Sequence, residues 1–180
     1  MEIPIRFKLF LFWKSMFNER FQAPQIKISK EGTGVRSILF FLPEKREHAK
    51  IVNYLVKVDS SLSGYTIGYV CNEQSKSYYA NSDNMKFITY NDDDLNYFGT
   101  IKSVVLLDQI KSTQYEALVD LNTTFCAATS MLAFELDIPL KIGFNSLIAN
   151  KTYTITLDRK DDTFLENSFN LIQRLLGFNF

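Results

Sequence analysis

One histidine and two cysteines are all that this chain of 180 residues holds of the two side chains that most often serve as proton shuttle, thiol nucleophile or transition-metal ligand. Cys71 and Cys126 lie in apolar segments without Cys-x-x-Cys or Cys/His spacing, which disfavours a disulfide framework and a structural zinc site and fits a reducing cytoplasm. Charge of either sign is missing in excess: Lys plus Arg and Asp plus Glu number 20 each, so no overall field directs the protein to nucleic acid. No apolar run approaches the roughly 20 residues of a membrane-spanning helix. The run Leu9 to Trp13 is too short, and too bulky in its flanks, for a signal peptide. There is no Ser elbow and no P-loop.

Aromatic residues are abundant, with 16 Phe and 9 Tyr within a hydrophobic share of 46%, a composition that argues for one folded core rather than disorder. A domain of this length buries roughly 70% of the surface its unfolded chain exposes. Residues 1–34 read as an N-terminal segment and residues 35–180 as a single α/β domain. In the first, Leu9, Phe10, Phe12, Trp13, Met16, Phe17 and Phe21 recur at helical spacing, so an amphipathic helix is expected over 8–21. Six basic residues face three acidic ones in this segment. Such a helix can pack on its own domain, on a partner chain, or on a membrane surface through Leu9, Phe10, Trp13 and Phe17. A short edge strand at Gln25 to Ile28 and a Gly-containing linker at Glu31 to Gly34 follow.

From Val35 strands and helices alternate. Ser37 to Leu42 is a short apolar run suited to a parallel strand covered on both faces, and Pro43 ends it and opens a helix over Glu44 to Val58. Tyr65 to Cys71 and Lys86 to Tyr90 are further strands, separated by a polar loop or short helical turn. Asn91 followed by Asp92, Asp93 and Asp94 reads as a helix cap; an EF-hand would need Gly at Tyr97 and Glu at Ser103. Lys102 to Gln109 is either a strand or a helix that sends Val104, Val105, Leu106 and Leu107 to the core. Tyr115 to Leu121 is strand-like, Asn122-Thr123-Thr124 start a helix running to about Glu135, and Leu140 to Phe144 and Tyr153 to Leu157 complete the strands. Asp161 or Asp162 caps a last helix, Thr163 to Leu176, whose core face is Phe164, Leu165, Phe169, Ile172, Leu175 and Leu176, and Gly177 ends it.

This alternation predicts a three-layer, doubly wound, mostly parallel, Rossmann-like sheet, whose ligands bind beyond the carboxyl ends of the strands where strand order reverses. In Rossmann order the strand at 37–42 neighbours that at 115–121. Glu44 and His48 then meet Asp120, Asn122, Thr123 and Thr124, a polar patch able to hold a small ligand. No residue in it is assigned a catalytic role, no metal or cofactor is expected, and the helix start Pro43 to His48 has no glycine and its acidic first turn makes a poor phosphate site. His48 reads as a surface residue and Cys126 as a core one.

The run from Tyr115 to Phe144 resembles a segment of glycosyltransferase family 9, the lipopolysaccharide heptosyltransferases. The matching pieces are Tyr115-Glu116, Leu118-Val119-Asp120-Leu121 and Lys141-Ile142-Gly143-Phe144, with Ser37 to Leu42 as that family's first strand. The resemblance implies the acceptor-side half of a GT-B fold. It departs at the family's Gly-rich, Asp-bearing catalytic loop, where this chain has Pro43-Glu44-Lys45-Arg46-Glu47-His48, and in the donor domain, for which the chain has no counterpart. Three readings follow. The first is a non-catalytic binding or assembly module of heptosyltransferase-like fold in cell-envelope sugar metabolism. The second is a half-site transferase that completes its cleft as a homodimer or with a partner chain, with Glu44 or His48 as base. The third is a peripheral protein held at the inner membrane face by its N-terminal helix. The expected location is cytoplasmic.

Overall fold

A computed structural model of the chain describes residues 5, 6, 8, 9, 35–56, 64–79, 86–146, 148–158 and 165–176. Six strands form one parallel sheet: β1 (Ser37–Phe41), β2 (Thr66–Asn72), β3 (Lys86–Tyr90), β4 (Ala117–Asp120), β5 (Leu140–Phe144) and β6 (Ile155–Leu157), in the order β3-β2-β1-β4-β5-β6. Neighbours pair in parallel throughout, with Phe41 beside Val70 on one side and beside Asp120 on the other. The helices are α1 (Arg46–Val56), α2 (Val104–Lys111), α3 (Ala127–Glu135), α4 (Ala149–Thr152) and α5 (Leu165–Leu175).

The continuous apolar strands follow from this layering, because a central parallel strand is covered on both faces and has no solvent side to make polar. Side chains of alternating parity divide the core. Ile38, Phe40, Tyr69, Ala117, Val119 and Ile142 pack with Ala49 and Val52 of α1 and with Phe169 and Ile172 of α5. Leu39, Phe41, Val70, Ile88, Tyr90 and Leu118 pack with Leu106 and Ile110 of α2 and with Ala128, Leu132 and Ala133 of α3. The small side chains of α3 let it lie close to the sheet. Gly143 is needed for the same reason: a Cβ there would stand 2.6 Å from the ring of Tyr153.

Several expectations change. The helix expected to open at Glu44 begins at Arg46, so Glu44 stands in the loop before it and of the two acidic residues only Glu47 lies in its first turn. Lys102 to Gln109 resolves as helix, but Val104 and Val105 face solvent while Leu106 and Ile110, four apart, reach the core, since a helix can turn only one stripe inward. The helix after β4 starts at Ala127, not at Asn122. The carboxylate of Asp120 accepts the backbone N–H of Asn122 at 2.9 Å and its side-chain amide at 2.8 Å, so the chain turns before the helix can begin. Leu175 is exposed rather than part of the α5 core face, and the strand expected from Tyr153 begins at Ile155. Asn91 does cap, its side chain accepting the N–H of Asp93 while Asp94 accepts the N–H of Asn91, but the helix expected to run to about Gly99 is only a 3-10 turn over Asp92–Asp94.

Residues 5, 6, 8 and 9 are helical. The rest of the amphipathic helix over 8–21, the strand at 25–28, the linker, Asp161, Asp162, Phe164 and Gly177 lie outside the described residues. Among the described residues no helix is long and apolar enough to cross a membrane.

Candidate functional site

Strand order reverses between β1 and β4, the two central strands that leave the sheet towards opposite layers. Their ends are fixed before they diverge. Leu42 donates its N–H to Val70 and Leu121 donates to Phe41, while the carbonyl of Pro43 accepts the buried Tyr79 hydroxyl at 2.6 Å. Beyond these anchors the loop before α1 and the loop before α3 enclose a cleft of ≈340 Å³. Glu44, Lys45, His48, Asn122 and Thr124 are its polar lining, and Tyr90, Leu95, Phe125 and Cys126 are among its other walls.

Each polar wall is held by a specific contact. The hydroxyl of Tyr90, at the end of β3, donates to Glu44 Oε1 at 2.8 Å and lies 3.7 Å from the Cys126 sulfur. With the phenol proton on Glu44, the thiol is the donor of the second contact. Burial pushes the Tyr90 phenol and the Cys126 thiol up, so both are neutral near pH 7 and act as donors rather than nucleophiles. On the opposite wall His48 Nδ1 and Thr123 Oγ1 meet at 3.0 Å, which ties α1 to the loop between β4 and α3 across the switch point.

Of the residues expected from the sequence, Glu44, His48, Asn122 and Thr124 therefore converge on one cleft. Thr123 points at His48, and with Asp120 it lines an adjoining cavity of ≈20 Å³ on the other side of the loop. Asp120 does not reach the cleft; it is 2% exposed and, besides the two Asn122 donors, accepts the Tyr153 hydroxyl at 2.6 Å. Burial raises its pKa, and these donors oppose the rise. Its part in the cleft is to shape the loop that carries Asn122 and Thr124.

Tyr90, Phe125 and Leu95 are cleft residues the sequence did not single out, and Cys126 is a wall of the cleft rather than a core residue alone. Tyr90 ends an edge strand two places from β1, and only the assembled strand order brings its hydroxyl to Glu44. Phe125 follows the cap-like residues directly, and its position beside them was the one local signal. Among the described residues no group of three or more His, Cys, Asp or Glu side chains is placed to hold a metal.

Comparison with protein-family models and with curated sequences finds no match. Among solved structures, the glycosyl transferase family 9 protein of Veillonella parvula DSM 2008 superposes with a TM-score of 0.55 at 17% identity, over 82% of this chain and 43% of that one. The likeness is one of fold, a Rossmann-like α/β sheet matching part of a glycosyltransferase, and this chain spans less than half the length of that protein.

Proposed function

We propose that this chain is a sugar-binding module of glycosyltransferase-like fold, acting in recognition or assembly rather than in transfer, with its ligand at the carboxyl ends of β1 and β4. The observation that carries the reading is the composition of the cleft. An anchored carboxylate (Glu44), an amide (Asn122) and a hydroxyl (Thr124) can pair with sugar hydroxyls, while Phe125 and Leu95 offer apolar surface to the C–H face of a pyranose. Binding is taken before transfer because it needs only these pairings, whereas transfer needs in addition a donor sugar held in line with the acceptor. The fold likeness supports the sugar class, and cell-envelope sugars are the first to test.

Saturation-transfer NMR with a panel of neutral sugars, sugar phosphates and nucleotide sugars tests it. Transfer to at least one sugar is expected, with affinity falling about tenfold or more in Glu44→Gln and in Asn122→Ala, the loss of a hydrogen bond to a charged or buried partner. No transfer to any sugar, or binding indifferent to both substitutions, refutes the reading. One observation favours a half-site transferase instead: Glu44 is the exposed carboxylate of the cleft and could take a proton from an acceptor hydroxyl. Release of sugar from a nucleotide sugar by the wild type and not by Glu44→Gln would select that alternative.

A further inference from the structure

The core accounts for the ring of Tyr90 but not for its hydroxyl. The residue is 1% exposed, and its ring belongs with Phe41, Ile88 and Leu118 to the apolar cluster on one face of the sheet. A phenylalanine would fill the same space. The hydroxyl reaches past that cluster to the cleft, where it donates to Glu44 Oε1 at 2.8 Å and has the Cys126 sulfur as a second neighbour 3.7 Å away. Sulfur is a weak partner, so the carboxylate is what holds this hydroxyl.

The contact decides as much for Glu44. This residue stands in the loop before α1 and is exposed. An exposed glutamate on a loop samples several rotamers unless something holds it. Among the described residues no ion pair with Lys45, its charged neighbour at the cleft, and no donor besides Tyr90 reaches this carboxylate. One hydrogen bond to a buried donor 46 positions away therefore selects the rotamer. It also divides the two oxygens: Oε1 is occupied, and Oε2 has no partner among the described residues.

We infer that Tyr90 is the positioning residue of this cleft: it presents Glu44 as a single fixed acceptor, which selects a ligand group that donates, a hydroxyl or an ammonium, over fluorine or an ether oxygen in the same place. The inference rests on the binding reading above. An ionised carboxylate has no proton to give, so an acceptor-only group beside it sets lone pairs against each other and leaves Oε2 desolvated and unpaired. Sites built around such a bond discriminate chiefly through the group left unpaired.

The test takes the sugar that gives the strongest saturation transfer in the panel, with its monofluoro derivatives, one hydroxyl replaced at a time. Each is titrated against wild type, Tyr90→Phe, Glu44→Ala and the double variant. At one hydroxyl, fluorine should weaken binding to the wild type about tenfold and binding to Glu44→Ala less than about twofold. Tyr90→Phe should weaken binding of the parent sugar about fivefold when Glu44 is present and less than about twofold in the Glu44→Ala background, because the phenol acts through the carboxylate. An equal loss in both backgrounds would make Tyr90 a purely structural residue and overturn the inference, as would fluorine effects indifferent to Glu44. Side-chain NMR of the ligand-free protein reads the positioning without any sugar. Three-bond couplings should report one χ1 rotamer for Glu44 in the wild type and averaging in Tyr90→Phe; averaging already in the wild type overturns the inference. A panel in which no sugar binds refutes the binding reading, and the selection falls with it.

Discussion

Replacing Asp120 by Ala and by Asn separates what its carboxylate does for the fold from what its charge costs. The Ala change removes the acceptor of the Asn122 N–H, the Asn122 side-chain amide and the Tyr153 hydroxyl at once. Asn122 and Tyr153 are half-buried, so water recovers part of each bond. At about 1 kcal/mol for each orphaned donor the loss is about 3 kcal/mol, or about 6 to 12 °C in Tm for a chain of this size. The Asn change keeps the acceptor oxygen for the Asn122 donors and offers its own N–H to the Tyr153 oxygen, so it should lie within about 1 kcal/mol of the wild type at neutral pH. The two differ further in pH dependence. Because the folded carboxyl is raised by burial, the folded state holds its proton longer than the unfolded chain, whose value is 3.8. Stability from this group is therefore fullest below that value and is lost as pH rises through the folded pKa. Urea denaturation of the wild type and the Asn variant across pH should show the wild type losing ground as pH rises from about 4, with the other carboxylates cancelling between the pair. A wild type that gains on the variant with rising pH would mean the donors outweigh desolvation. An Ala variant as stable as the Asn variant would remove the network from the account altogether.

Gly143→Ala should cost about 2 kcal/mol by overpacking, because its methyl lands 2.6 Å from the Tyr153 ring and displaces the hydroxyl from Asp120. In a Tyr153→Ala background the same change should cost much less, so thermal melts of the cycle read the coupling, and strict additivity would count against the contact. Thiol labelling of the native protein should be slow at neutral pH, since burial pushes Cys71 up to about 11 and Cys126 upward as well. Both should label promptly in denaturant, and fast native labelling would contradict the burial of Cys71 and the raised thiol of half-buried Cys126.

The strands were legible because a doubly covered parallel strand must be apolar throughout: Ser37 to Leu42, Lys86 to Tyr90 and Leu140 to Phe144 announce themselves by composition. Strand order was legible only conditionally, yet the condition held, and with it the meeting of Glu44 and His48 with Asn122 and Thr124. Two things were not legible. The run at 104–107 has four consecutive apolar residues and so no period; the helix shows only with Ile110, one turn after Leu106. Asn122, Thr123 and Thr124 look like a helix cap in any local window, and what overrides that is the carboxylate two residues earlier, which captures Asn122 and delays α3 to Ala127. Tyr90 was missed because nothing local marks a strand-end tyrosine as the partner of a residue 46 positions away.

The delayed helix start also determines what kind of site this fold can offer. Had α3 begun at Asn122, its first turn would have filled the space between β1 and β4, and its orphan N–H groups would have faced the switch point as an anion site. Instead residues 121–126 form a wall with a cavity on either side, held from within the sheet by Asp120 and Tyr153 and from α1 by the contact of His48 with Thr123. The wall presents side-chain amide, hydroxyl and aromatic groups to the cleft, and the facing loop presents Glu44 and Lys45. A cleft so lined offers donors and acceptors to a hydroxyl-rich ligand from both of its loops.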